Sequence, residues 1–196
     1  MITDIGSFPR YFDAVHRRTV RDVDSLPAAA ADYRPPAGEG ENAWGITDIV
    51  RHIAGARLYF ARAYRGEGWY FSDSLPPANT PADWLPCLEA AAAEFRRRLE
   101  DTPAGWLERR VQMIDTDAGL SGWRILMMCL EHEVHHRSQI DTYAGLQGWP
   151  VPDIYGRSAE SIGLQRERQR RLHQRDGLLL HLSQDCITPR RFHVLQ

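Results

Sequence analysis

Apolar residues recur at three- and four-residue spacing in four stretches of the chain, and proline- and glycine-rich breaks separate them. The first stretch runs from about 7 to 25, with Phe8, Phe12, Val15, Val20 and Val23 as its apolar positions, Ser7 as candidate cap and Pro9 in the first turn. The second begins near Thr47, whose hydroxyl can accept from the first-turn amides, and carries Ile46, Ile49, Val50, Ile53, Leu58 and Phe60 toward Tyr64. Gly66 and Gly68 stop it. The third, alanine- and arginine-rich, spans about 81–100 and ends at the Thr102-Pro103 break. The fourth and longest spans about 121–146, with Gly148, Pro150 and Pro152 behind it.

Between the third and fourth stretches, "VQMIDTDAG" reads as a short strand or an irregular excursion. No internal repeat is visible, and no sustained two-residue alternation requires a sheet. The pattern therefore predicts an all-α fold, a four-helix bundle of up-and-down type, whose long first and middle connections leave room for a crossover. Residues 1–163 are expected to form the bundle. From 164 to 196 a C-terminal extension follows, basic in "QRERQRRLHQR" and with a small apolar cluster behind it. Packing on the body, association, an acidic partner and a solvated terminus are all open for it.

A chain of 196 residues is long enough to bury one core without staples, and 43% hydrophobic content is that of a folded protein. No apolar run approaches the roughly 20 residues that cross a bilayer. The start "MITDIGSFPRYFDAV" lacks the basic-then-apolar order of a signal peptide, so a cytoplasmic location is expected. Cys87, Cys129 and Cys186 are far apart and in no CxxC pair, which points to free thiols rather than a disulfide framework. Every basic residue is arginine. Residues 1–163 hold 17 arginines against 23 carboxylates, a balance of −6, while 164–196 hold 7 against 3, or +4. A mildly acidic body argues against a nucleic-acid groove across it.

The fourth stretch contains "CLEHEVHHRSQI", with three histidines in five consecutive positions. Residues four apart on a helix differ by about 40° in direction, so His132 and His136 share a face, while His135 does not. Both continue the stripe Ile125, Cys129, Ile140, Tyr143 into the bundle. An H-x-x-x-H pair on one helical face can supply two imidazole ligands to a divalent metal. The second helix offers a third in His52, on the line Ile49, Ala56, Tyr59, and Ala54, Gly55 and Ala56 beside it would let the helices approach. Against this stands the plainer reading that each is a hydrogen-bonded core histidine. On residues alone both readings stand.

The segments "AWGITDIVRHIAGA" and "HEVHHRSQI", with the proline-rich exit "GLQGWPVPDIYG", resemble the DinB/YfiT-like superfamily, often called DinB-like metalloenzymes. The resemblance spans about 4–160. It implies a four-helix bundle with a long crossover, commonly a homodimer, that binds zinc, nickel or a similar ion through His52, His132 and His136. Ser138 stands where the family often has Gly. The "GEGWYFSD" stretch is a candidate dimer contact.

Three neutral imidazoles leave an ion its full charge and an open position, the catalytic rather than the structural pattern, and a thiol or water held there becomes more acidic. The resemblance further implies coupling of a low-molecular-weight thiol cosubstrate to a small-molecule electrophile, a metal-dependent transferase. A non-catalytic metal- or ligand-binding bundle and a metal-dependent hydrolase use the same residues. Glu131, Glu133 and His135 are candidates to orient a ligand ring, with exposure the stronger expectation for Glu131, and Gln139 is placed to line the pocket. Arg137 is expected in a surface ion pair, with anchoring of a substrate carboxylate as its other role. Cys129 is read as a buried apolar residue and no ligand.

Overall fold

The four amphipathic stretches fold as four helices with nearly the bounds their periodicity predicts: α1 Phe8–Asp24, α2 Ile46–Arg65, α3 Pro81–Glu100 and α4 Gly122–Leu146. This computed structural model describes residues 4–37, 43–71 and 74–185, with the backbone alone at 159 and 174–185. The doubtful stretch before α4 is a small antiparallel hairpin, β1 Arg110–Gln112 with β2 Gly119–Ser121, in which Arg110 lies opposite Ser121. The chain divides into two compact units, Met1–Pro152 and Asp153–Gln196. The second contains α5, Ala159–Asp185, whose described side chains are almost all exposed. Positions 186–196, including Cys186 and the end of the apolar cluster in the extension, lie outside the described residues.

Two helix starts differ from expectation. Ser7 makes no capping bond to α1; its hydroxyl donates back to the Asp4 carbonyl. Helix α2 begins one residue early because Ile46 is drawn fully into the core, so Thr47 sits inside the helix with its buried hydroxyl unpartnered. Asp48 does the work at that end by accepting from the Gly45 N–H at 3.1 Å. Helix α3 opens as its sequence suggests, with Asp83 accepting from the backbone N–H and hydroxyl of Thr80. Gly66, at φ 73°, closes α2 in the left-handed conformation. Gly122 lets α4 start against the chain: a Cβ there would stand 2.1 Å from the Trp106 carbonyl oxygen.

Core packing fixes the directions of the helices. One apolar cluster joins Phe8 and Phe12 of α1, Tyr64 of α2, Phe95 and Leu99 of α3, and Ile125 of α4. The other joins Val23 of α1, Ile46 and Ile49 of α2, Trp84 and Leu88 of α3, and Ile140 of α4. Helices α1 and α4 therefore run one way and α2 and α3 the other. Helix α2 packs on α3 and α4, and α1 packs on α3 and α4. The bundle is up-down-down-up, and the crossover is the middle connection, 66–80, which must return along the bundle because α2 and α3 are parallel. A helix of 20 residues is about 30 Å long, well within the reach of that segment when extended.

Between the two apolar clusters lies a polar layer. Arg57 of α2, 1% exposed, donates to Glu133 of α4 through Nε and Nη2 at 2.9 and 2.7 Å, to the Leu88 carbonyl of α3 at 2.6 Å, and to His16 Nδ1 of α1 at 3.1 Å. One guanidinium thus binds all four helices. Thr19 donates to the same carboxylate at 2.7 Å. Burial pushes the Glu133 carboxyl up, but the Arg57 charge and the hydrogen bonds outweigh it and hold it below the usual range. Because arginine can only donate, His16 Nδ1 must accept and Nε2 must carry the proton, which it gives to Glu89 at 3.1 Å. Burial, then the Arg57 charge, lower the His16 pKa and keep that ring neutral.

Candidate metal centre

His52 reaches the α2–α4 seam from the second turn of α2, and His132 and His136 meet it from successive turns of α4. His132 Nε2 lies 2.9 Å from His52 Nε2 and 3.2 Å from His136 Nε2, and the ligand atoms of the three rings all fall within 4.8 Å of one another. Two nitrogens bound to one zinc-sized ion at tetrahedral angles stand about 3.3 Å apart, so the cluster has the span of a metal site.

The protonation pattern suits the same purpose. Burial first, then the neighbouring imidazoles, lowers His52 and His132 to about 4 and lowers His136 as well, leaving three neutral rings at neutral pH. His136 Nδ1 lies 2.7 Å from Gln139 Oε1. An amide oxygen only accepts, so Nδ1 carries the proton and the Nε2 lone pair points at the cluster. Trp44 stacks on His136 and leans on His52, and Phe71 from the crossover lies against His52 and Tyr59. Gly55 leaves the room for this: a Cβ there would press on Phe71 Cδ1 at 3.2 Å. The small residues at 54–56 accordingly serve different neighbours, Ala54 and Ala56 the two core clusters and Gly55 the crossover.

The expected orienting groups divide differently. Glu133 faces away into the polar layer, Glu131 is exposed and pairs with Arg124 at 2.8 Å, and His135 is exposed against His136. Gln139, expected only to line a pocket, is the residue that fixes a ligand ring. Arg137 corrects the surface reading: it is 4% exposed and faces Asp22 at 3.3 Å, because its helix position points between α1 and α4. Cys129 is buried as expected, and burial drives its thiol far above its ordinary pKa. In the "GEGWYFSD" stretch, Trp69 donates to the Gln112 carbonyl and Tyr70 receives the Arg62 guanidinium, while positions 72 and 73 lie outside the described residues.

Sequence reasoning passed over the polar layer, although a signal was there. Arg57 lies four residues after Ile53, Glu133 four after Cys129, and His16 four after Phe12, each in an apolar stripe near mid-helix.

The family model described as DinB family matches residues 1–171. This chain belongs to the DinB family. Among solved structures, this DinB-family chain is similar to a DinB-like protein of Bacillus cereus, at 17% identity and a TM-score of 0.64, over 78% of this chain and 99% of that one. A DinB-like protein of Bacillus subtilis matches at 17% identity and a TM-score of 0.59, over 76% of this chain and 96% of that one. At such identity the likeness bears on the fold. No curated protein matches the DinB-family chain. Among its described residues, no helix is long and apolar enough to cross a membrane.

Proposed function

We propose that this DinB-family chain is a metal-dependent transferase that couples a low-molecular-weight thiol to a small electrophile, with His52, His132 and His136 as the metal ligands. The observation that supports this most is the convergence of three neutral imidazoles, 2.9 and 3.2 Å apart, at the edge of the bundle rather than sealed within it. A closed structural site takes four protein ligands, whereas three histidines leave a position free. When bound, a divalent ion supplies Lewis acidity that makes a thiol a nucleophile at neutral pH.

The protein's own residues prepare that centre. Gln139 holds His136 in the tautomer whose Nε2 can ligate, and the two α4 ligands are spaced by one helical turn. The polar layer anchors the α4 segment that carries them, since Glu133 lies between the two ligands in sequence and is tied to Arg57 of α2. Trp44 and Phe71 flank the imidazoles and limit water at their faces. Zinc and nickel both suit an imidazole donor set. The other expectations of the resemblance, a homodimer and a cytoplasmic location, belong to the same proposal.

Elemental analysis of protein purified without an affinity tag, followed by assay of the loaded protein with an electrophile and separate thiols, tests the reading. Thiol-dependent turnover that disappears in His132→Ala is the expected result. Product formed without thiol would identify a hydrolase instead, and absence of turnover with metal-linked stability would identify a binding module.

A further inference from the structure

Beside the histidine cluster an open cleft of about 800 Å³ runs between α2 and the crossover, and His52 forms part of its wall. Its charged lining consists of Arg34, Asp48 and Arg51. The Asp48 carboxylate is already engaged twice, by the Arg34 guanidinium at 2.6 Å and by the Gly45 N–H. Arg51 is exposed, stands next to His52 in sequence, and has no carboxylate partner among the described residues. Among the described residues the cleft therefore holds one unbalanced positive charge before any ion enters the cluster. Its apolar walls include Leu75, Pro76, Pro77 and the aromatics Trp44 and Phe71, which remain 41% and 54% exposed although both press against His52. Large aromatics left open along a concave, charged surface are what a small organic ligand covers.

We infer that this cleft selects small carboxylates with an apolar or aromatic body, the carboxylate being received by the Arg51 guanidinium and the body lying between Trp44 and Phe71. Guanidinium matches a carboxylate with two parallel N–H donors, and the charge-assisted pair discriminates against a neutral analogue. Arg34 is the weaker partner because Asp48 occupies its Nη1. The role once open for Arg137 thus falls to Arg51, since Arg137 is spent on Asp22 inside the bundle. As a statement about substrate class, the inference rests on the cluster being the reacting end of this cleft; as a statement about binding, it is tested separately.

The test compares phenylacetate with phenylacetamide, which share a body and differ in charge, by calorimetric titration of the full chain, both zinc-loaded and EDTA-treated. The acid is expected to bind roughly tenfold or more tighter than the amide in both forms. Arg51→Gln should abolish that preference while leaving zinc uptake intact, and Phe71→Ala should weaken acid and amide alike without changing their ratio. Arg10→Gln, at a distant exposed position, serves as the charge control and should change neither. Equal binding of acid and amide, no saturable binding of the acid, or a preference that survives Arg51→Gln overturns the inference. A preference confined to the zinc-loaded form and indifferent to Arg51 would place the carboxylate on the ion, overturning this inference while sparing the metal centre. Failure to take up zinc would instead count against the metal centre.

Discussion

Glu133 follows the proposed ligand His132 directly in sequence, yet its carboxylate turns away from the imidazoles and closes on Arg57 through bonds of 2.7 and 2.9 Å, both side chains being at most 2% exposed. One residue along a helix is a rotation of about 100°, enough to put neighbours on different faces. The histidine cluster and the polar layer are thus adjacent by chain and separate in chemistry. Removing one partner leaves the other charged and buried, so Glu133→Ala and Arg57→Ala should each cost about 3–5 kcal/mol in urea unfolding. The double replacement Arg57→Met with Glu133→Leu should cost much less than the two single losses together, because no orphan charge remains.

Gln139 would act on a metal held by the histidine cluster through His136, and it carries no charge of its own. Gln139→Ala leaves Nδ1–H without its acceptor and frees the ring to turn, so metal affinity should fall about 10–100-fold while the unfolding midpoint of the metal-free protein barely moves. Competition with a chromophoric chelator reads the first quantity and thermal unfolding in EDTA the second. Unchanged affinity would mean that the ring is held by packing against Trp44.

Asp141 gives a pH dependence whose sign runs opposite to that of an ordinary paired carboxylate. Burial, and then the negative charge of Asp22, raise its pKa from 3.8 to about 6 despite Arg137 and Arg21 nearby. Between those two values the folded state holds more proton than the unfolded state, so this group's contribution to stability falls as pH rises through the window. Asp141→Asn should therefore raise stability by about 1–3 kcal/mol at neutral pH and change little near pH 4. Urea midpoints at both pH values check the prediction.

Gly122→Ala should destabilise the protein by about 2–4 kcal/mol, since the added methyl would meet a backbone carbonyl oxygen that cannot rotate aside. Gly145→Ala, within the same helix but with nothing near its position, should be neutral or slightly stabilising. Unfolding of both variants gives a comparison within one helix. Equal effects would show that the short turn Ala104–Leu107, ahead of the hairpin, yields at Trp106.

The sequence by itself determined the four helices, their apolar faces and the shared face of His132 and His136. These follow from a 3.6-residue period that each segment carries locally. It also supplied His52 as a partner, because a histidine at the edge of an apolar stripe needs somewhere to spend its nitrogens. Tertiary structure alone decided which helices are neighbours and hence that the crossover is 66–80, since that depends on how four apolar faces close together. It likewise decided the partners of Arg57, Glu133 and Arg137, whose charges are paired across separations of 76 residues and more. A buried charge marks a need for a partner in the sequence, but which residue meets it is fixed by packing distances between helices.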